Sequence, residues 1–159
     1  MLGHCSQSQD NKVNPLSTRL KEKEEKILQI LESLAEASAK GTPIVVEGKK
    51  DVEALRALKV AGTVLTVKTG GKSFLDAVSE IEKLHVHEVI LFLDFDRRGK
   101  EGTKRLKQSL ERAKIKPNTK LWRKLSALVG KEIQCIESLT AYMVTLRIKI
   151  GVASQQSKA

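Results

Sequence analysis

An α/β fold is predicted for this chain: a mainly parallel four-stranded sheet flanked by helices, with an amphipathic helix ahead of it. Three observations predict it. Short aliphatic runs alternate with stretches of helical periodicity along most of the 159 residues. One run, EVILFLD at residues 88–94, is apolar at consecutive positions, as a strand covered on both faces must be. The connections between runs are long enough for helical crossovers rather than hairpins.

Taken in order, residues 1–16 are polar and aperiodic and read as a flexible tail. Residues 17–41 read as a helix. Leu20, Ile27, Ile30, Leu31 and Leu34 share one face, KEKEEK supplies the wet side, and Ser17 or Thr18 caps the start. Pro43 forbids its continuation beyond Lys40 and Gly41. PIVVE (43–47) is a first strand, and residues 51–59 a helix with Val52 and Leu55 inward. TVLTV (63–67) is a second strand, ended by Gly70 and Gly71. Residues 73–84 form a helix on Phe74, Val78 and Ile81, followed by the third strand at 88–94. Residues 99–114 form a helix on Leu106 and Leu110, and Pro117 ends that segment. TKLW (119–122) and IQCI (133–136) are candidates for short outer strands. A last helix spans 138–149, with Leu139, Tyr142 or Met143, and Leu146 inward. No internal repeat is visible.

Composition narrows the function. Hydrophobic content of 40% and charged content of 30% fit a soluble globular chain. Aromatics at 3% argue against base stacking as the dominant mode of any nucleic-acid binding. No apolar run approaches the roughly 18 residues of a membrane span, and the N-terminus lacks the apolar core of a signal peptide, so a cytoplasmic location is expected. Cys5 and Cys135 form no CxxC motif, which speaks against structural zinc and disulfide scaffolds. His85 and His87 precede the third strand and read as surface residues. Trp122 reads as a packing anchor for the C-terminal segment. The formal charge is +10 and it is unevenly placed. Residues 97–149 hold 15 Lys+Arg against 4 Asp+Glu, and residues 1–96 hold 13 against 15. A basic half of this kind favours a polyanionic partner, nucleic acid, with affinity that falls as salt rises.

The chemistry lies where strands end in acids. In an open parallel sheet, ligands bind beyond the carboxyl ends of the strands, at a switch point in strand order. Glu47 ends the first strand; Asp94 and Asp96 end the third. If those strands are neighbours, three carboxylates converge, and such a group needs a cation or a proton to coexist. Oxygen donors without His or Cys select Mg²⁺ or Mn²⁺. Asp94 and Asp96, two residues apart on an extended segment, point to the same side. The competing role is helix capping, which suits Asp96 ahead of RRGKEG better than Asp94.

VVEG followed by LDFDRRG resembles the Toprim domain of topoisomerases, bacterial-type primases and OLD-type nucleases, over residues 42–125. VEGKKD is also similar to the opening of small stand-alone Toprim proteins and of the bacterial maturase of 5S ribosomal RNA. The resemblance implies a Rossmann-like sheet with Glu47 as general acid/base near the metal and Asp94 and Asp96 as Mg²⁺ ligands. Gly48 would let backbone or substrate approach Glu47, and Lys49, Arg97 and Arg98 would contact phosphate. No tyrosine is placed as a topoisomerase nucleophile, since Tyr142 lies in an apolar helical pattern, and no DNA-gate, zinc or helicase module is present.

A rival motif, TVKTGGKS at 66–73, nearly matches GxxxxGK[ST] but has Thr66 where the first glycine belongs. Gly70 and Gly71 read instead as a turn near the site, from which Lys72 would help bind nucleic acid. The organisation expected is a helix at 17–41, a Toprim domain at 42–125, a C-terminal extension at 126–150 packed on it, and a flexible tail at 151–159. The function expected is that of a Mg²⁺-dependent protein acting on or binding nucleic-acid phosphodiesters, in RNA processing or as a nuclease. The alternative is a non-catalytic RNA- or DNA-binding module, or a subunit of a nucleoprotein complex with a protein partner on the N-terminal helix.

Overall fold

The computed structural model describes residues 15–68 and 73–158, with side chains described to residue 155. Four short strands form one all-parallel sheet in the order β2-β1-β3-β4, where β1 is Ile44–Val46, β2 Val64–Thr66, β3 Glu88–Leu91 and β4 Lys116–Asn118. The helices are α1 (Pro15–Ala39), α2 (Lys49–Ala57), α3 (Phe74–Lys83), α4 (Arg97–Arg112), α5 (Lys120–Val129) and α6 (Leu139–Lys158), with a 3₁₀ turn at Ile136–Ser138.

The pleat divides the core. Ile44, Val46, Ile90 and Phe92 face one side and pack with Leu55 of α2 and the apolar faces of α1, α5 and α6. Val45, Val89, Leu91 and Leu93 face the other and pack against α3 and α4 through Val78, Ile81, Leu106 and Leu110. Successive strand residues point to opposite faces, so a strand covered on both sides must be apolar at its covered positions, as β1 is throughout and β3 is from Val89 to Leu91. From β1 the chain moves outward to β2, then crosses back to place β3 on the other flank of β1. The switch point therefore falls between β1 and β3, paired Ile44↔Ile90 and Val45↔Leu91.

α1 buries Ile27, Ile30, Leu31 and Leu34, the face expected from its periodicity. It starts at Pro15, so Ser17 and Thr18 lie inside its first turn and do not cap it. Ser17 is buried instead, its hydroxyl 3.0 Å from that of Ser154 on α6. Arg147 of α6 donates to Glu24 at 3.1 Å, and Lys23 pairs with Glu132 beyond α5. The apolar face of α1, offered by the sequence as a surface for a partner protein, is thus occupied within the chain. The helix stops where Gly41 takes a φ of +101°, the left-handed region open to glycine.

Five expectations are corrected. TKLW lies on β4's exit and the start of α5, and IQCI leads into the 3₁₀ turn; neither is a strand. The fourth strand instead contains Pro117, which was expected only to end a helix. It is tolerated because β4 is an edge strand, where a missing N–H costs no ladder bond on the open side. α4 stops at Arg112, followed by Lys114 at φ +61°. α6 runs through residues 151–158, where a tail was expected, with Ala153 buried. Among the described residues no helix is long and apolar enough to cross a membrane.

Candidate functional site at the β1/β3 switch point

Glu47 follows β1 directly and is 7% exposed. Its Oε2 lies 3.1 Å from Nζ of Lys68, two residues past the end of β2, and its carbonyl accepts from the Lys68 N–H at 3.0 Å. Gly48 is extended (φ −149°) and caps α2, and a Cβ there would meet nothing within 4 Å. The chain itself does not need a glycine at this position, so any close approach it permits comes from outside.

Asp51, in the first turn of α2, was assigned no role from sequence. It is 5% exposed; its Oδ2 accepts from Gly48 N–H at 3.1 Å and its Oδ1 from Glu137 N–H at 2.8 Å. It therefore ties α2 to the 3₁₀ turn. Burial pushes its carboxyl above the usual range, against the two N–H donors, with the charges of Glu137 and Glu47 adding to the rise. The signal available in the sequence was its spacing, four residues after Glu47 on a helix that starts between them.

Beyond β3, Phe92 N–H still donates to Val45 at 2.8 Å, and Phe95 N–H donates to Gln134 at 2.7 Å. Trp122 of α5 donates from Nε1 to the Leu93 carbonyl at 2.7 Å, and its ring lies 6.3 Å from that of Phe95. These bonds fix the segment that carries Asp94. The first turn of α4 presses on it too: a Cβ at Gly99 would fall 2.1 Å from the Asp94 carbonyl oxygen. Asp94 Oδ1 is buried without a hydrogen-bond partner. Burial, then the charges of Glu47, Asp51 and Asp96, push its carboxyl up to about 7, opposed by Lys68.

Asp96 is the N-cap of α4, its Oδ1 accepting from Gly99 N–H at 2.7 Å. Capping and metal binding, weighed against one another from sequence, are compatible here, since a carboxylate has lone pairs for both. Glu47 and Asp96 thus both lie near enough to Asp94 for their charges to raise its carboxyl. Among the described residues, however, no group of three or more His, Cys, Asp or Glu is drawn together closely enough to hold a metal. The donor set itself, hard carboxylate oxygens with one orphaned and buried, fits Mg²⁺ or Mn²⁺.

Of the expected phosphate contacts, Lys49 is exposed at the start of α2. Arg97 is exposed and pairs with Glu101 at 3.3 Å. Arg98 lines a cleft of about 440 Å³ between α3 and α4, whose lining also includes Glu47 and Lys68. Lys72 lies outside the described residues.

Residues 41–120 match the Toprim domain family. The chain belongs to that family. The Toprim match begins just before β1 and ends just after β4, so it takes in all four strands and every acid of the corner. Among curated relatives, the chain is similar to a UPF0292 protein of Methanocaldococcus jannaschii, 39% identical over 75% of this chain and 91% of the relative. A UPF0292 protein of Methanosarcina acetivorans is 36% identical over 83% of this chain and 90% of its own length. The chain therefore belongs with the UPF0292 group of Toprim proteins. A solved structure of a protein from Aquifex aeolicus has the same fold, with a TM-score of 0.57 and 26% identity over 69% of this chain and 94% of the other.

Proposed function

We propose that this Toprim protein binds a divalent cation at the β1/β3 corner and acts there on nucleic-acid phosphodiesters. The observation that carries the reading is Asp94: a carboxyl oxygen buried without a partner, beside Glu47, Asp51 and Asp96, at the sheet's switch point. A protein keeps such an arrangement at a cost, and a cation offsets it.

Asp94 and Asp96 would hold Mg²⁺ or Mn²⁺, with Glu47 adjoining. When bound, the ion neutralises a phosphate and lowers the pKa of an attacking oxygen. Glu47 acts as the general base, and its carboxylate pairs with Lys68 until substrate arrives. Lys68 is half-exposed, so its ammonium can turn from Glu47 to a phosphate. Arg98, which lines the cleft, and the exposed Lys49 would hold flanking phosphates, with Arg97 and Lys72 assigned the same role from sequence.

Incubation with labelled RNA and DNA, in Mg²⁺ or Mn²⁺ and in chelator, tests the reading. Metal-dependent cleavage that Glu47→Gln abolishes is expected. A calorimetric Mg²⁺ titration should lose its signal in the Asp94→Asn, Asp96→Asn double variant while the fold persists, because asparagine still caps α4. Unchanged metal binding in that variant would refute the ligand assignment.

A second reading, a non-catalytic RNA- or DNA-binding module, is favoured by the Glu47–Lys68 pair, which already neutralises the proposed base. No cleavage by the pure protein, together with wild-type binding by Glu47→Gln, would decide for the module.

A further inference from the structure

We propose that the cleft between α3 and α4 is a subsite for one unpaired nucleotide, its phosphate toward Lys68 and Arg98 and its base on Phe74, Leu75 and Arg105. The proposal rests on nucleic acid being the partner and adds which form of it enters the site. About 440 Å³ suits a single nucleotide and excludes a duplex.

The walls are built for that ligand. Leu75, in the lining of the cleft, is 71% exposed, the most exposed large hydrophobic side chain among the described residues. A leucine left so open costs little alone, but beside a phosphate-sized gap it supplies an apolar contact for a base. Phe74 is half-buried, and the guanidinium of Arg105 lies over its ring at 5.5 Å from the centroid. That contact holds a planar cation at the wall of the cleft. Guanidinium planes and aromatic rings are the surfaces on which unpaired bases stack. Gly102 makes room for the arrangement: a Cβ there would fall 3.1 Å from the Phe74 ring.

The charges agree. Arg98 and Arg105 lie seven residues apart, two turns of α4 on one face. Neither has a carboxylate partner among the described residues, whereas Glu101, which also lines the cleft, is paired with Arg97. Glu47 also lines the cleft, so a nucleotide seated here would bring its phosphate to the edge of the acidic corner.

The test is fluorescence anisotropy in chelator, using oligouridylate and oligothymidylate of about 12 nucleotides and a blunt duplex of equal length. The full chain is compared with Leu75→Ser, Arg105→Gln and a control, Lys116→Gln, on the sheet's far end. Thermal melts establish that each variant folds. Leu75→Ser and Arg105→Gln should each weaken single-strand binding about five- to thirty-fold. Leu75→Ser should leave duplex affinity unchanged, and Lys116→Gln should leave single-strand affinity within about twofold. Wild-type single-strand affinity in both cleft variants overturns the subsite while leaving the wider nucleic-acid reading intact. Equal loss on single strand and duplex in Leu75→Ser also overturns it. A wild-type protein that binds neither polymer overturns both.

Discussion

Asp94 contributes to the pH behaviour of the metal-free protein. Its carboxyl is ordinarily near 3.8 and is raised in the fold to about 7, so the native state binds more protons than the unfolded chain between those values. Stability should therefore fall as pH rises from about 4 to 7 and stay low above. Urea unfolding in chelator at pH 8 should find Asp94→Asn more stable than wild type by about 1–2 kcal/mol, after allowance for solvent screening. The gain should vanish at pH 4, and adding Mg²⁺ at pH 8 should stabilise wild type but not the variant. The two glycines of the corner behave oppositely. Gly99→Ala forces a methyl against the Asp94 carbonyl and should cost about 2–4 kcal/mol. Gly48→Ala meets open space and should cost less than about 1 kcal/mol. At this scale the sequence revealed Glu47, Asp94 and Asp96, because an acid ending an apolar run is conspicuous. It hid Lys68 and Asp51, whose roles depend on strand order and on a turn 86 residues away.

At the scale of elements, α5 shows what periodicity conceals. Leu121, Leu125 and Val129 mark a helix at four-residue spacing, yet TKLW within it reads equally as a strand, since short apolar runs do not separate the two. The helix matters to the site because Trp122 holds the end of β3. Trp122→Phe keeps most of the packing but strips the Leu93 carbonyl of its donor, and should cost about 1–3 kcal/mol in a denaturant titration. It should also weaken Mg²⁺ affinity, since Asp94 follows Leu93 directly. Three of the four strands and all the crossover helices were legible, their ends displaced by one to three residues. β4 was not, because a proline in an edge strand carries the same mark as a helix stop.

For the whole molecule, the asymmetry of charge translates into a field over α4 and α5. Affinity for either nucleic acid should fall linearly on a log–log plot against salt, and affinity indifferent to ionic strength would contradict the role of the basic half. α1 belongs to the same body as the sheet. Ile27, Ile30, Leu31 and Leu34 join the core on one face of it, so removing residues 1–40 should leave a chain without a cooperative melting transition.

The Ser17–Ser154 contact joins residues 137 apart, which places the start of the first helix beside the last turns of the final one. Helix ends held that near can be spliced. A circular permutant of residues 15–158 opened at the Lys59–Gly62 bend, with the start of α1 and the end of α6 joined through a short Gly/Ser linker, would keep every layer of the fold and carry its new ends on the rim away from the acids.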